Sequence, residues 1–379
     1  TFAQFGSGTF TPGVRTHLSR FMLVDPLALA AEAGHLAGLG VTDALDRLTV
    51  DRDALLTTPF HRAAGRAREI ARGTGRHGSC GMGIGETARY ALSHDDAPRA
   101  GDCLSPTRLR HRLTALRDRL TGELGPLDVP DVGSCAEAFL AFARRVRVVD
   151  GTYLHDLLHD GDVVFEGAQG VLLDEWHGFH PYTTWSTTTF ANAQALLDEA
   201  GLPPATRLGV LRTYMTRHGP GPFVTEDPAL TADLPDRHNG FGRWQGAFRV
   251  GHLDTVALRY ALEVAGGADA LAVTHLDTAA SRTDLRICRS YDIGGEILDR
   301  LPTGPPGDLD RQRRLTQRLL TARPLYGEAP ADWITTIEEE LRVPVALGSY
   351  GPTTADKQLI TGTDVEPRPR ASHESRLLP

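Results

Sequence analysis

Residues 165–189, FEGAQGVLLDEWHGFHPYTTWSTTT, hold the densest run of groups able to grip a polar ligand. A β-branched run, Asp162–Phe165, empties into Gly167-Ala168-Gln169-Gly170. Small residues there let the backbone and one long amide touch a ligand. Gln169 offers two donors and an acceptor, which suits a purine edge or a ribose. The plainer reading is a glycine turn carrying a solvated amide. A second segment, YMTRHGPGPFVTE at 214–226, sets Arg217 and His218 at the tip of a loop stiffened by two Gly-Pro steps. A guanidinium there serves an anion or a surface ion pair. Residues 73–86, GTGRHGSCGMGIGE, contain six glycines. That density implies backbone in unusual dihedrals, so that a ligand can come close.

These segments need a scaffold, and the rest of the chain reads as one continuous α/β domain. Residues 26–39 predict a helix, with Pro26 near its first turn and Gly40 as its stop. Residues 44–62 read as irregular, and 107–122 and 135–147 as surface helices with outward arginines. Asp162–Phe165 is expected to be a buried strand, and 208–215 a helix or a strand. Asp254 is expected to cap a helix through Val264, ended by Gly266 and Gly267 and followed by a strand at Ala270–His275. That order is half of a parallel α/β unit. Asp332–Leu341 predicts a helix, Val343–Leu347 a last strand and Gly348–Pro352 a turn.

Composition narrows the function classes. The 379 residues carry a net charge of −8, which argues against nucleic acid or an anionic membrane as the main partner. Lys357 is the single lysine, so 39 of the 40 basic residues are arginine. Any phosphate must therefore be held by arginine or by backbone N–H groups. The four cysteines lie far apart without a C-x-x-C pair, which suggests neither a zinc knuckle nor a redox motif. No run of 18 apolar residues and no charged-then-apolar leader occurs, so a cytoplasmic protein is expected.

The motifs taken together resemble the adenylosuccinate synthetase family, which reads FEGAQG-x-LLD, then YP-[YF]-VTSS-x-TT, Y-x-TRVG-x-GPFPTE and GW-x-DTVA. The matching stretches are Phe165–Asp174, Pro181–Thr188, Tyr214–Glu226 and Gly251–Ala257, in the same order and spacing. The 78–85 loop is similar to the family's GTTGRGIGP. The resemblance implies a large, mostly parallel sheet flanked by helices, related to P-loop NTPases, over a single domain at 1–365, with a polar tail at 366–379. It implies a GTP-dependent ligase using Mg2+. GTP phosphorylates a purine 6-oxo group, of IMP or an analogue, and an amine such as L-aspartate displaces phosphate. A homodimer is implied as well.

Carried over residue by residue, the resemblance implies nucleotide contacts at Gln169, Ser79, Cys80, Arg217, His218, Thr184 and Arg99. It implies an amine-donor loop holding Arg243, Arg249 and Gly246. GTP contacts are implied at Thr1, His275, Asp277, Ser349, Gly351 and Pro352. Asp277 stands where the family's T-K-L-D reads guanine, and His275 takes the place of its base-covering lysine; the plainer reading of Asp277 is a cap of the next element. Departures concentrate in two loops. Cys80 and Met82 replace a threonine and an arginine, and the T-T-G-R cluster is replaced around Arg243-Trp244-Gln245-Gly246. Trp244 and Phe248 suggest a more apolar pocket. The family's catalytic aspartate, its catalytic histidine and its magnesium site fall in an opening segment of roughly forty residues, none of which is in this chain. Three versions stay open: housekeeping adenylosuccinate synthesis, a divergent paralogue with another carbonyl substrate or amine donor, and a non-catalytic nucleotide-binding relic.

Overall fold

The computed structural model describes residues 3–236 and 239–360. Thr1 and the 366–379 tail lie outside the described residues. The described chain divides into two compact units whose segments interleave. The first holds the residues up to Ala168, Thr184–Ser186 and a stretch ending at Ala247. The second holds Gln169–Thr183, Thr187–Asp236 and the chain from Phe248 onward. The α/β class is as expected, and the sheets are mixed, with parallel and antiparallel pairs.

The first unit is built on a parallel three-stranded sheet. Leu48–Asp51 lies at its centre, between Thr16–Leu18 and Arg147–Val149. The stretch expected to be irregular thus supplies a strand buried at every position. Helix Pro106–Leu124 buries Leu109, Leu113, Leu116 and Leu120 along one stripe and keeps its arginines outside. Each such leucine stabilises by about 2 kcal/mol on leaving water. Helix Pro26–Gly38 starts as expected: Pro26 sits in its first turn, and the Asp25 side chain accepts from the N–H groups of Leu27 and Ala28. Asp162–Phe165 differs from expectation. It forms no strand, and Val164 is 91% exposed. A strand needs a hydrogen-bonded neighbour, and no described strand pairs with this run.

Two histidines of this unit have the largest acid sensitivity to offer. His61, on helix Pro59–Ala71, completes a capping box with Thr58, and burial pulls it down to about 3. His17 bonds Thr49 through Nδ1, and burial pulls it down to about 4. Each has a buried Nε2 with no partner. The unfolded chain takes up protons near the ordinary value of 6.5, whereas the folded chain resists until far lower pH. The stability is therefore present above 6.5 and is lost as pH falls towards 4. His61 alone accounts for about 2 kcal/mol between pH 7 and pH 5. Denaturant unfolding at both pH values should show that loss, and the loss should shrink in His61→Gln; equal losses in variant and wild type would refute the assignment.

In the second unit, Ala270–Thr274 runs parallel to Leu208–Arg212 on one side and to Val345–Ser349 on the other. Lys357–Leu359 closes the far edge antiparallel. Of residues 208–215, Leu208–Arg212 thus resolves as strand, because a buried neighbour offers it a ladder, and the chain bends at 213–214. Asp254 caps helix Thr255–Val264 by accepting from the N–H of Ala257, and Gly266 and Gly267 follow it with positive φ. Asp332 caps Trp333–Leu341 in the same way. A second sheet pairs Ile287–Ile293 antiparallel with Glu296–Leu298 and Arg323–Tyr326. A ribbon joins Met215–His218 to Phe248–Gly251 with Arg217 opposite Arg249.

Candidate active site

In the first unit the glycine-rich loop is pinned rather than loose. Buried Glu69 accepts from the Gly78 N–H at 3.3 Å, and Ser79 Oγ accepts from the Gly81 N–H at 3.2 Å. Gly83 takes φ +89°, and a Cβ there would stand 2.8 Å from the backbone nitrogen of Arg62. The loop thus touches the backbone of Pro59–Ala71 before helix Ile84–Ser93 begins. Ser79 is half-buried, and Cys80 is an exposed free thiol. Thr184 belongs to this unit, and its neighbour Trp185 lies against Gly85, where a Cβ would meet the indole at 3.3 Å.

Arg99 is already engaged. Its backbone N–H donates to the buried Asp102 carboxylate at 2.8 Å, and its guanidinium donates to the Asp53 carbonyl. His94 stacks on Tyr90 at 4.3 Å, and Asp96 pairs with Arg119 at 2.6 Å. The carboxylate near Arg99 in sequence is therefore neutralised within its own unit. Arg243 and Gly246 sit on a tight hairpin.

In the second unit Gln169 takes φ +66° and is exposed. A non-glycine residue in that conformation costs about 1–2 kcal/mol, and such strain collects at ligand sites. The segment behind it is organised by Asp174, which is wholly buried. Its Oδ1 accepts from the N–H groups of Trp176 (2.9 Å) and His177 (3.1 Å), and its Oδ2 accepts from the Thr188 N–H at 2.7 Å. Thr188 Oγ1 donates to the Gly170 carbonyl at 3.2 Å, beside Gln169. Tyr260 and Gln312 hold the next turn by donating to the carbonyls of His177 and Gly178. His180–Pro181 is a cis peptide. Motif reading did not single out Asp174 as the organiser; one carboxylate between an apolar run and aromatics gives no spacing signal.

Arg217 donates to the carbonyls of Tyr182 (3.1 Å) and Pro220 (3.0 Å), and burial together with nearby Arg249 draws its pKa down to about 10. Arg249 donates to Glu226 and to the carbonyls of Gly219 and Gly221. Both arginines therefore brace the Gly219–Pro222 turn. His218 packs edge-on against Phe248 at 6.0 Å. Arg243 and Arg249, expected in one donor loop, belong to different units.

At the strand ends, His275 adopts φ +61°. Its carbonyl accepts from Thr213 Oγ1 at 2.9 Å, and its Nδ1 bonds the Tyr214 hydroxyl at 3.1 Å. Burial and the nearby Arg212 lower its pKa. Asp277 follows in the first turn of Leu276–Ser281. It makes no capping bond, is exposed, and shows no hydrogen bond or ion pair among the described residues, though its charge acts on His275 and Tyr214. The plainer reading of Asp277 as a cap therefore does not hold. Across the sheet, Ser349 Oγ donates to the Gly351 carbonyl at 3.3 Å, and Pro352 continues the same turn. Lys357 closes that turn, its Nζ donating to the carbonyls of Gly351 (2.6 Å) and Thr353 (2.9 Å). The one lysine is a loop clamp.

Among the described residues, no group of three or more His, Cys, Asp or Glu side chains could hold a metal ion. No described helix is long and apolar enough to cross a membrane.

The family model described as adenylosuccinate synthetase matches residues 1–358. The adenylosuccinate synthetase of Synechocystis is 33% identical over 395 residues, covering 96% of this chain and 85% of that one. Its counterpart in Desulfovibrio desulfuricans is 32% identical, covering 87% and 81%. Among solved structures, a fully ligated adenylosuccinate synthetase from Plasmodium falciparum superposes with a TM-score of 0.78 at 21% identity, covering 94% of this chain and 87% of that one. A succinoaminodeoxyadenylate synthetase from cyanophage S-2L, bound to dGMP and to dATP as an energy donor, gives 0.53 at 18% identity, covering 94% and 79%.

Proposed function

Because the chain belongs to the adenylosuccinate synthetase family, whose members are ligases that form carbon–nitrogen bonds, we propose that it uses GTP to activate a purine-like 6-oxo group, of IMP or an analogue, for attack by an amine such as L-aspartate. The γ-phosphoryl group of GTP moves to O6. The amine nitrogen then bonds C6, the C6–O bond breaks, inorganic phosphate leaves with that oxygen, and the amine gives up a proton. In this reading Asp277 accepts from the guanine N1–H and N2 amino group, and Gln169 holds the carbonyl nucleotide through its amide. Ser79 and the N–H groups of its glycine loop meet an anion. Magnesium, which the family uses, supplies charge neutralisation at the phosphates when bound. The enzyme is read as a cytoplasmic homodimer.

The observation that carries the nucleotide assignment is Asp277: an exposed carboxylate with no hydrogen bond or ion pair among the described residues, at a strand end where an alternative capping role is absent. A second reading, a divergent paralogue, is favoured by the Arg243-Trp244-Gln245 tip standing where the family carries paired threonines. One assay tests both. Inorganic phosphate release is followed with GTP or ATP, with IMP or dGMP, and with or without L-aspartate. Release that needs a nucleoside triphosphate, an oxopurine nucleotide and an amine together supports the ligase. Brisk turnover with IMP and L-aspartate would overturn the paralogue version. Asp277→Asn should raise KM for GTP at least tenfold while leaving KM for the carbonyl nucleotide within about twofold, because the lost carboxylate meets two donors on guanine alone. Equal use of GTP and ATP by the wild type, unmoved in the variant, would remove the guanine assignment.

A further inference from the structure

A cleft of about 300 Å³ opens in the second unit, with Asp227, His252, Asp284 and Arg286 among its walls and Ala229 and Leu230 as its apolar side. None of these side chains has a part in the ligase reading. The volume stands at the lower end for a small-molecule site. His252 occupies the position at which the motif GW-x-DTVA carries tryptophan, so a smaller ring borders the opening. That ring is only 2% exposed. Its Nδ1 accepts from the Arg286 backbone N–H at 3.2 Å, so the neutral ring carries its proton on Nε2, which donates to Asp227 Oδ2 at 3.2 Å. Burial lowers the His252 pKa, and Arg286 adds to that, which favours the neutral form this bond needs.

The charges around the cleft are of both signs. The Arg286 guanidinium comes within 3.1 Å of His252 Nε2, but there a donor faces a donor. It is laid instead on the Tyr326 ring, 4.2 Å from the centroid, and makes no ion pair among the described residues. A guanidinium held on an aromatic face keeps its N–H edge for an oxyanion. The carboxylates are partly used. Asp227 Oδ1 accepts from the N–H groups of Ala229 and Leu230, whereas its Oδ2 accepts from His252 alone among the described residues and keeps a lone pair. Asp284 pairs with Arg282, which also pairs with Asp233. A plain anion in this cleft would meet two carboxylates, and a plain cation would meet Arg286. A small molecule carrying both charges satisfies each wall.

We infer that this cleft binds a free α-amino acid, with the carboxylate on Arg286, the ammonium on Asp227 and Asp284, and a small apolar side chain against Ala229 and Leu230. The inference does not rest on the ligase reading, and its test needs no turnover. L-alanine, acetate and methylamine are titrated separately into the full chain, without nucleotide, by calorimetry. L-alanine should saturate, and acetate and methylamine, each carrying one of the two charges, should bind at least tenfold more weakly. Arg286→Met should weaken L-alanine about tenfold or more with the fold intact by circular dichroism, since no ion pair is lost. His252→Trp should close the cleft and abolish binding. No saturation with L-alanine, wild-type affinity in Arg286→Met, or acetate binding as tightly as L-alanine would overturn the amino-acid site. Phosphate release with GTP, IMP and L-aspartate separates the cleft from an amine-donor site. Arg286→Met should leave KM for L-aspartate within about twofold. A tenfold rise would place Arg286 with the donor and overturn a separate site. A chain that binds L-alanine in this way but never releases phosphate from GTP would defeat the ligase reading and leave the cleft standing.

Discussion

Asp174→Ala should lower stability by about 3–5 kcal/mol, the largest single effect expected in the second unit. The wild-type carboxylate is wholly buried and accepts from three backbone N–H groups, those of Trp176, His177 and Thr188. Alanine leaves all three donors facing a dry space, and each costs about 1–3 kcal/mol there. The damage should also reach Gln169, because Thr188 in turn holds the neighbouring Gly170 carbonyl. Asn is no remedy at Oδ2: its NH2 would face the Thr188 N–H, donor against donor. The check is thermal unfolding together with hydrogen exchange at the three amides. Faster exchange confined to those amides, with a melting point several degrees lower, is the expected result. Unchanged exchange at Thr188 would show that the carboxylate does not organise the segment.

Gly83→Ala should be the counterpart in the first unit, destabilising by about 3 kcal/mol. Two causes add. The residue sits at φ +89°, where an L side chain costs about 1–2 kcal/mol. The new Cβ would also stand 2.8 Å from Arg62 N and 3.0 Å from Arg62 Cα. Those atoms belong to a helix backbone and cannot swing aside as a side chain would, and such overpacking costs about 1–3 kcal/mol. Gly73→Ala is the control. It has positive φ but nothing within 4 Å, so it should carry the dihedral cost alone. If Gly83 positions the loop for its ligand, a shift of about 1 Å should also cut kcat/KM on the order of a hundredfold. Equal melting points for the two alanine variants would remove the contact argument.

Much of this was legible without coordinates, and for identifiable reasons. Helix Pro26–Gly38 and the Asp254 cap depend on neighbours within a few residues, and local chemistry is written locally. The family motifs are long and ordered for the same reason: each is a continuous loop whose glycines and prolines act on their own backbone. The unusual backbone dihedrals of the glycine-rich loop were legible from composition alone, and Gly78, Gly81 and Gly83 all take positive φ. Asp162–Phe165 was misread because a strand is a relation between two segments, and β-branched residues do not say whether a partner exists.

The tertiary structure decided which charged groups are occupied. Thirty-nine arginines look alike in sequence. Folding commits Arg99 to a carbonyl, Arg217 and Arg249 to a turn, and Arg62, Arg68 and Arg72 to carboxylates. It leaves Arg66, Arg243 and the Asp277 carboxylate without charged partners among the described residues. The lone lysine, conspicuous in the composition, is a clamp on two carbonyls. An ionic side chain takes its role from whichever opposite charge or dipole comes within about 4 Å, and that distance is set by segments tens of residues apart. The sequence therefore determined the family and, with it, the class of chemistry; only the fold decided which charges are committed to protein partners.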